Sequence, residues 1–411
     1  MGTAHFRRAV ITGIGVITSV GESLPSFEKG IFSGKSGIRP ITVFDASGFA
    51  CHSAGQVEEP DLKGRLPFDN LRRASRCDLL GLIAAHEAVM DSGINRENPD
   101  PGDVGVIMGG GAGGMLSWEI YRRAQKSKDK RPRPSTLLAS APCTLTDLIA
   151  GIFGFKGTRA TITTACSSSA TSIGYGCDLI RSGTHEFVIT GGSEALSELT
   201  FAGFNSLRLV DPEYCRPFDM ERKGLSLGEG AAILVLEEYE HALQRGVAIY
   251  AEVMGYGINA DAYHMTSPDP EGLGMGRAME MALEDSGVHK EQIHYINAHG
   301  TGTKVNDGTE TAAIKRVFGK QKAEELRISS TKSMVGHCLG AAGAVEAAAT
   351  ILAIVRQSAP PTIHLKNPDP ECDLNYVSGG SEPCEIRTAM SNSFAFGGNN
   401  TSVVFGRIAR K

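Results

Sequence analysis

The chain has no CxxC pair, no HExxH motif and no GxxxxGK(S/T) loop. The first two absences remove the common sequence signs of a zinc site, and the third removes the P-loop of nucleotide hydrolases. Glycine runs at 109–114 and 228–230 lack the acidic partner of a dinucleotide fingerprint, so nucleotide binding is rejected and neither metal nor cofactor is expected. The nine cysteines are an odd number, and their scatter fits a reducing, cytoplasmic setting better than a disulfide framework. The N-terminal stretch has two arginines before a strand-like run but lacks the apolar core and cleavage site of a secretory signal. No stretch resembles a transmembrane span of roughly 18 residues. A net charge of −5 with 21% charged residues excludes whole-surface nucleic-acid binding, so an acidic partner must meet a local basic patch.

What is present is length, glycine and an α/β rhythm. A chain of 411 residues exceeds the usual single core, which implies two domains or one large core built from two similar halves. Strand-like runs at 8–15, 104–111, 161–166, 185–192 and 231–238 alternate with helical segments such as 79–93 and 167–183. After a midpoint near Gly246 the order repeats, with strands at 248–257, 293–300, 327–333, 388–398 and 401–406 and an Ala-rich helix at 341–355. The expected halves are 1–245 and 246–411. In this repeat the strand-to-helix turn holding Cys166 matches the turn holding His337, as if two corners met across a pseudo-twofold axis. The charged, proline-rich segments 126–136 and 366–373 read as surface excursions.

Cys166, in TTACSSS, stands where a β run gives way to a helix start. A helix N-terminus favours thiolate, and a downward shift of about two units from about 8.5 would ionise most of the thiol at pH 7. A buried apolar cysteine is the competing reading, and Cys338 is a rival nucleophile. His299 in AHGTGT and His337 in GHCLGAAGA lie in small-residue turns, where neutral imidazoles can donate N–H bonds to a developing enolate oxygen. Thr301 and Thr303 offer hydroxyls to a polar ligand arm. Lys332 either supports the histidines or forms a structural salt bridge, with Glu310 as its expected partner. Phe396, before Gly397 and Gly398, is either a mobile gate or the core of a buried turn.

Taken together, TTACSSS, AHGTGT, STKSMVGHCLGAAGA, RPFDMERKGLSLGEGAAILVLEE, DAYHMTSPDPEG and SFAFGGNN resemble the β-ketoacyl-acyl-carrier-protein synthase family, in particular its type II elongating enzymes. The resemblance covers essentially the whole chain. It implies a thiolase fold of two similar halves in five α/β/α/β/α layers, usually a homodimer. It implies that Cys166 accepts an acyl group, with the backbone N–H groups of Cys166 and Phe396 as oxyanion hole. His299 and His337 would bind the malonyl thioester carbonyl during decarboxylation, and Thr301 and Thr303 would bind the phosphopantetheine arm. Lys332 and Glu310 match a supporting pair.

An acidic carrier protein needs a basic patch, for which Arg72, Arg73, Arg76, Arg122, Arg123, Lys126 and Arg208 are candidates, Arg72, Arg76 and Arg208 foremost. Two departures bear on substrate. Ala395 replaces a glycine common before the gate phenylalanine, and alanine reaches positive φ less easily. The serines after Cys166 resemble polyketide ketosynthases, which makes a specialised polyketide or polyene pathway, with a chain-length factor as partner, the alternative to fatty acid elongation. Thiolase and a catalytically silent chain-length factor are the competing classes, disfavoured by the paired histidines and by Cys166 itself.

Overall fold

The computed structural model describes residues 7–68, 71–94, 103–127, 131 and 133–408. Ten strands make one hydrogen-bonded sheet: β1 (Ala9–Thr18), β2 (Val104–Gly109), β3 (Arg159–Ile162), β4 (Phe187–Glu194), β5 (Gly230–Glu238), β6 (Ala251–Ala260), β7 (Tyr295–Asn297), β8 (Arg327–Ser329), β9 (Thr388–Ala395) and β10 (Asn399–Gly406). Their spatial order is β8-β7-β9-β10-β6-β1-β5-β4-β2-β3. Read outward from the centre, each half shows the same order and the same mix of parallel and antiparallel neighbours. The repeat is therefore one of topology.

The halves join where β1 pairs antiparallel with β6 over Ala9–Ile11 and Ala251–Val253. A register shift between Ile11 and Gly13 then carries β1 away from β6. Its freed N–H groups find carboxylates on helix α1 (Arg76–Ser92): Ile14 N donates to Asp91 at 3.0 Å and Val16 N to Glu87 at 2.9 Å. Buried backbone donors left without such partners would be costly. The two five-stranded portions diverge beyond this seam without exposing an edge there.

Alternation along the strands separates the layers. Val106 and Met108 enter a core under α1 and α3 (Thr144–Phe153), whereas Ile107 faces the opposite way; helix α2 (Met115–Lys126) runs between these two helices in the chain. Ile107, Leu234, Val403 and Phe405 pack onto two central helices, α4 (Ser168–Arg181) and α8 (Ala342–Arg356), which lie between the two portions of the sheet. Between α4 and α8 in sequence come α5 (Glu198–Ser206), α6 (Leu273–Ser286) and α7 (Lys304–Phe318). Helices α6 and α7 cover the outer face of the second half. The result is α/β/α/β/α, the thiolase arrangement.

One sequence reading needs correction. The stretch Leu339–Arg356 is 18 residues long with mean hydropathy 1.6, long and apolar enough to cross a membrane on those criteria. It is 89% buried inside the protein, and a helix apolar on all faces suits a layer covered by a sheet on either side. Residues 128–130 and 132 of the charged excursion lie outside the described residues, while 366–371 are largely exposed as expected.

Candidate active site

Cys166 enters at the start of α4. Residues Ala165–Ser167 form a 3-10 turn, with Ala165 at φ 51°. In the second half Leu339–Ala341 form the matching turn before α8, with Leu339 at φ 46°. Left-handed backbone at non-glycine residues is uncommon, and its recurrence at the same step makes the two corners equivalent. In this register Cys166 corresponds to Gly340, while His337 precedes the turn on a segment bridged to Leu227. Gly109 makes the first corner accessible: a β-carbon there would lie 2.3 Å from Ser169 N, so only glycine lets β2 run against the start of α4.

His299 follows β7. Its N–H and that of Gly300 both donate to Glu310, each at 2.8 Å. Gly302, at φ 79°, completes the turn. His337 is fixed through its own backbone, donating to Ser226 O at 2.7 Å and accepting from Gly228 N at 2.9 Å. The two imidazoles meet edge to face with centroids 5.3 Å apart. Both line one cavity of ≈ 770 Å³ together with Cys166, Thr301, Thr303 and Phe396. Chain positions more than 200 residues apart thus converge on a single space.

Lys332 lies behind the histidines and is almost fully buried. Its Nζ is 3.2 Å from His299 Nδ1 and forms an ion pair with Glu346 of α8. The expected pairing with Glu310 is corrected: Glu310 is occupied by the His299 and Gly300 amides, and Glu346 is the counter-ion. Because an ammonium only donates, His299 Nδ1 is the acceptor, which leaves the proton on Nε2. Burial first, and Lys332 second, hold both imidazoles well below the usual histidine range. Burial raises Glu310 and Glu346 to about 7. Asn297 Oδ1, Glu346 Oε2 and Ser393 Oγ are buried without a protein partner, oxygens of the kind that suit water or a hard cation.

Burial also pushes the Cys166 thiol up to about 12, against the smaller downward pulls of Lys332 and the Phe396 N–H. Burial thus works against the thiolate that a helix start favours. Cys338 is buried, does not line the cavity, and directs its sulfur to Glu229 O at 3.6 Å.

The segment Phe396–Gly398 sits at the end of β9. Phe396 is half-buried and stacks on Phe204 of α5, with centroids 5.5 Å apart and planes at 21°. Gly397 N donates to Met265 O at 2.8 Å, and Gly398 O accepts from Asp261 N at 2.9 Å, so this segment is strapped to loop 261–272. Ala395 is buried at φ −108°, ψ 161°, extended backbone that alanine adopts freely; positive φ falls instead on Gly397 and Gly398. The concern raised by the missing glycine does not apply to this conformation.

Two residues outside the motifs carry a signal in the sequence. Glu346 is the one charge in its helix besides the terminal Arg356, and Glu194 is an acid at the end of a buried strand. Glu194 accepts from Gly340 N at 3.0 Å and Ala112 N at 3.3 Å, tying the glycine run to the second corner, and burial raises it to about 8. Phe204 had no comparable signal.

Of the basic candidates, Arg208 is exposed at the cavity mouth. Arg76 is corrected: it is ion-paired with buried Glu229 at 2.8 Å and with exposed Glu59 at 2.7 Å, so its charge is already matched by two carboxylates. Arg123 is paired with Glu198, and Arg122 lies over Trp118. The side chain of Arg72 lies outside the described residues.

Residues 7–242 match the beta-ketoacyl synthase N-terminal domain and residues 250–366 match the beta-ketoacyl synthase C-terminal domain. The chain belongs to the β-ketoacyl synthase family. It is 42% identical to a 3-oxoacyl-[acyl-carrier-protein] synthase 2 of Synechocystis sp., over 98% of this chain and 99% of the relative. A synthase of the same name from Coxiella burnetii is 40% identical, over 98% and 99%. Among solved structures, the ishigamide ketosynthase/chain length factor superposes with a TM-score of 0.93 at 37% identity, covering 98% of this chain and 100% of that one. A type II PKS ketosynthase in complex with its acyl-carrier protein gives 0.89 at 32%, over 98% and 100%. This ketosynthase is accordingly an acyltransferase.

Proposed function

We propose that the enzyme joins an acyl group held on Cys166 to a malonyl unit on acyl carrier protein, giving a β-ketoacyl thioester two carbons longer and carbon dioxide. The observation that carries this is the convergence of Cys166, His299 and His337 on one cavity whose wall includes Thr301 and Thr303. In the first half-reaction the Cys166 sulfur attacks the acyl thioester. The thiol proton ends on the departing carrier thiol, and the N–H groups of Cys166 and Phe396 face the tetrahedral oxyanion. Because burial favours the neutral thiol, its proton leaves as the carbon–sulfur bond forms.

In the second half-reaction malonyl carrier protein occupies the cavity and its carbon–carboxylate bond breaks. His299 Nε2–H and the His337 ring stabilise the enolate oxygen. The enolate carbon attacks the acyl-Cys166 carbonyl, the sulfur departs, and one proton restores the thiol. Lys332, bound to Glu346, keeps His299 in the donating tautomer, and Glu310 holds the turn. No group beyond the thioesters is needed.

Fatty acid elongation is the leading pathway, on the strength of relatives at 39–42% identity over nearly full length. The second reading, an active ketosynthase of a specialised polyketide or polyene pathway paired with a chain-length factor, is favoured by the structural neighbours and by Ser167–Ser169 after Cys166. A homodimer goes with the first reading and a heterodimer with the second. The halves divide at Arg245/Gly246, where Gly246 at φ 66° ends a helix before β6. Nine unpaired cysteines support a reducing cytoplasm.

The test supplies acyl and malonyl carrier proteins and follows carbon dioxide and product mass. Wild type should release carbon dioxide with a two-carbon extension, and Cys166→Ala should form no acyl adduct. Condensation without decarboxylation, or an adduct persisting in the variant, would sink the proposal.

A further inference from the structure

One segment carries the cavity wall from floor to rim. His299 and Thr301 are buried, Thr303 is half-buried and Lys304 is exposed, and all four line the cavity. Arg208 and Lys223 are exposed and line the same mouth. The two lysines belong to one rigid unit. Arg222, next to Lys223 and fully buried, donates to Thr303 O at 3.4 Å and to Lys304 O at 3.2 Å, and is ion-paired with Asp369 at 2.5 Å. Among the described residues Arg208, Lys223 and Lys304 form no ion pair or side-chain hydrogen bond. The acids nearby are differently placed: Asp261 is engaged by Asn400 and by Asp269 N, Asp369 by Arg222, and Glu221 alone is exposed on the lining. Three exposed cations against one exposed anion make the rim an anion-attracting collar.

We propose that Lys223 and Lys304, with Arg208 at the edge, bind the phosphate of the phosphopantetheine arm. This rests on the ketosynthase reading above. An arm that enters thioester first places its amide groups beside Thr301 and Thr303 and its phosphate, at the carrier end, where that same segment reaches solvent. Lysine ammonium groups meet phosphate as mobile point charges and do not need a fixed fork geometry.

The test measures acyl transfer to Cys166 at low salt for wild type and Lys223→Ala/Lys304→Ala, using one acyl chain on three donors: acyl-pantetheine, acyl-4′-phosphopantetheine and acyl carrier protein. The double variant should raise KM about fivefold for both phosphorylated donors, equivalent to two exposed ion pairs of ~0.5 kcal/mol each, and should leave acyl-pantetheine within about twofold. The difference should shrink as salt screens the rim. A rise confined to the carrier-bound donor would overturn the proposal in favour of an acidic carrier surface. An equal rise for all three donors would overturn it in favour of a positioning role. Wild type that takes no acyl group from any donor would instead bring down the ketosynthase reading, which separates the two failures.

Discussion

Lys332→Met removes one partner of a buried ion pair while keeping most of the side-chain volume. Both partners are nearly inaccessible, Lys332 at 1% and Glu346 at 2% exposure, so neither charge has water to fall back on. Breaking such a pair costs about 3–5 kcal/mol, against at most about 1 kcal/mol for an exposed one. The loss should also depend on pH. In wild type burial already raises Glu346 to about 7. Without the Lys332 charge that folded-state value moves higher still, away from an unfolded value of about 4.3. A folded pKa raised above the unfolded one means stability is lost as pH rises toward the folded value. Wild type is half titrated at pH 7 and loses only about 0.4 kcal/mol more by pH 8, whereas the variant loses about 1.4 kcal/mol, so the difference should grow by about 1 kcal/mol between pH 7 and pH 8. Urea unfolding at the two pH values measures both quantities, and adding Glu346→Gln should recover much of the loss by removing the stranded charge. Catalysis adds a second readout. His299 Nδ1 loses its donor and with it the fixed tautomer, so carbon dioxide release should fall about 100-fold, the lower end of the range for losing one oriented donor. A destabilisation below about 1 kcal/mol that is the same at pH 7 and pH 8 would refute this account of the pair.

Three further outcomes are expected. Glu310→Gln leaves one of the His299 and Gly300 amides without its acceptor, which should cost about 1–3 kcal/mol in urea unfolding and slow carbon dioxide release more than acyl loading; equal slowing of both would count against a role confined to the histidine turn. Ala395→Gly should loosen the closed gate by about 0.5–1 kcal/mol of backbone entropy and speed acylation of Cys166 by about two- to fivefold, with an unchanged rate and product profile removing Ala395 from gating. Gly109→Ala would set a methyl group 2.3 Å from Ser169 N, backbone that cannot move without displacing the Cys166 corner, and should cost about 3 kcal/mol or more; a wild-type urea midpoint would show that the corner yields.

Much of this protein was legible along the chain. The alternation of strand and helix gave two halves, and the structure shows them with identical strand order because each half solves the same burial problem around the central helices α4 and α8. The Cys166 and His337 turns were recognisable because short residues, glycine and a following helix mark a strand-to-helix corner locally. Thr301, Thr303, His299 and Phe396 were legible for the same reason, each lying in a short motif whose chemistry is carried by neighbours in sequence.

What sequence could not assign were pairings and environments. Glu310 and Glu346 are both plausible partners for Lys332 by residue type, and the choice was made when α8 packed between the two portions of the sheet and brought Glu346 to the ammonium. Arg76 looked like any surface arginine until α1 turned it onto Glu229. Cys166 stood out along the chain by its place at a strand-to-helix corner, and the structure sets its sulfur on one cavity with His299 and His337, whereas Cys338 at the matching corner does not line that cavity. Whether that sulfur rests as thiol or thiolate was decided only in three dimensions, since desolvation is a property of everything packed around the group and leaves no mark in the residues on either side of it.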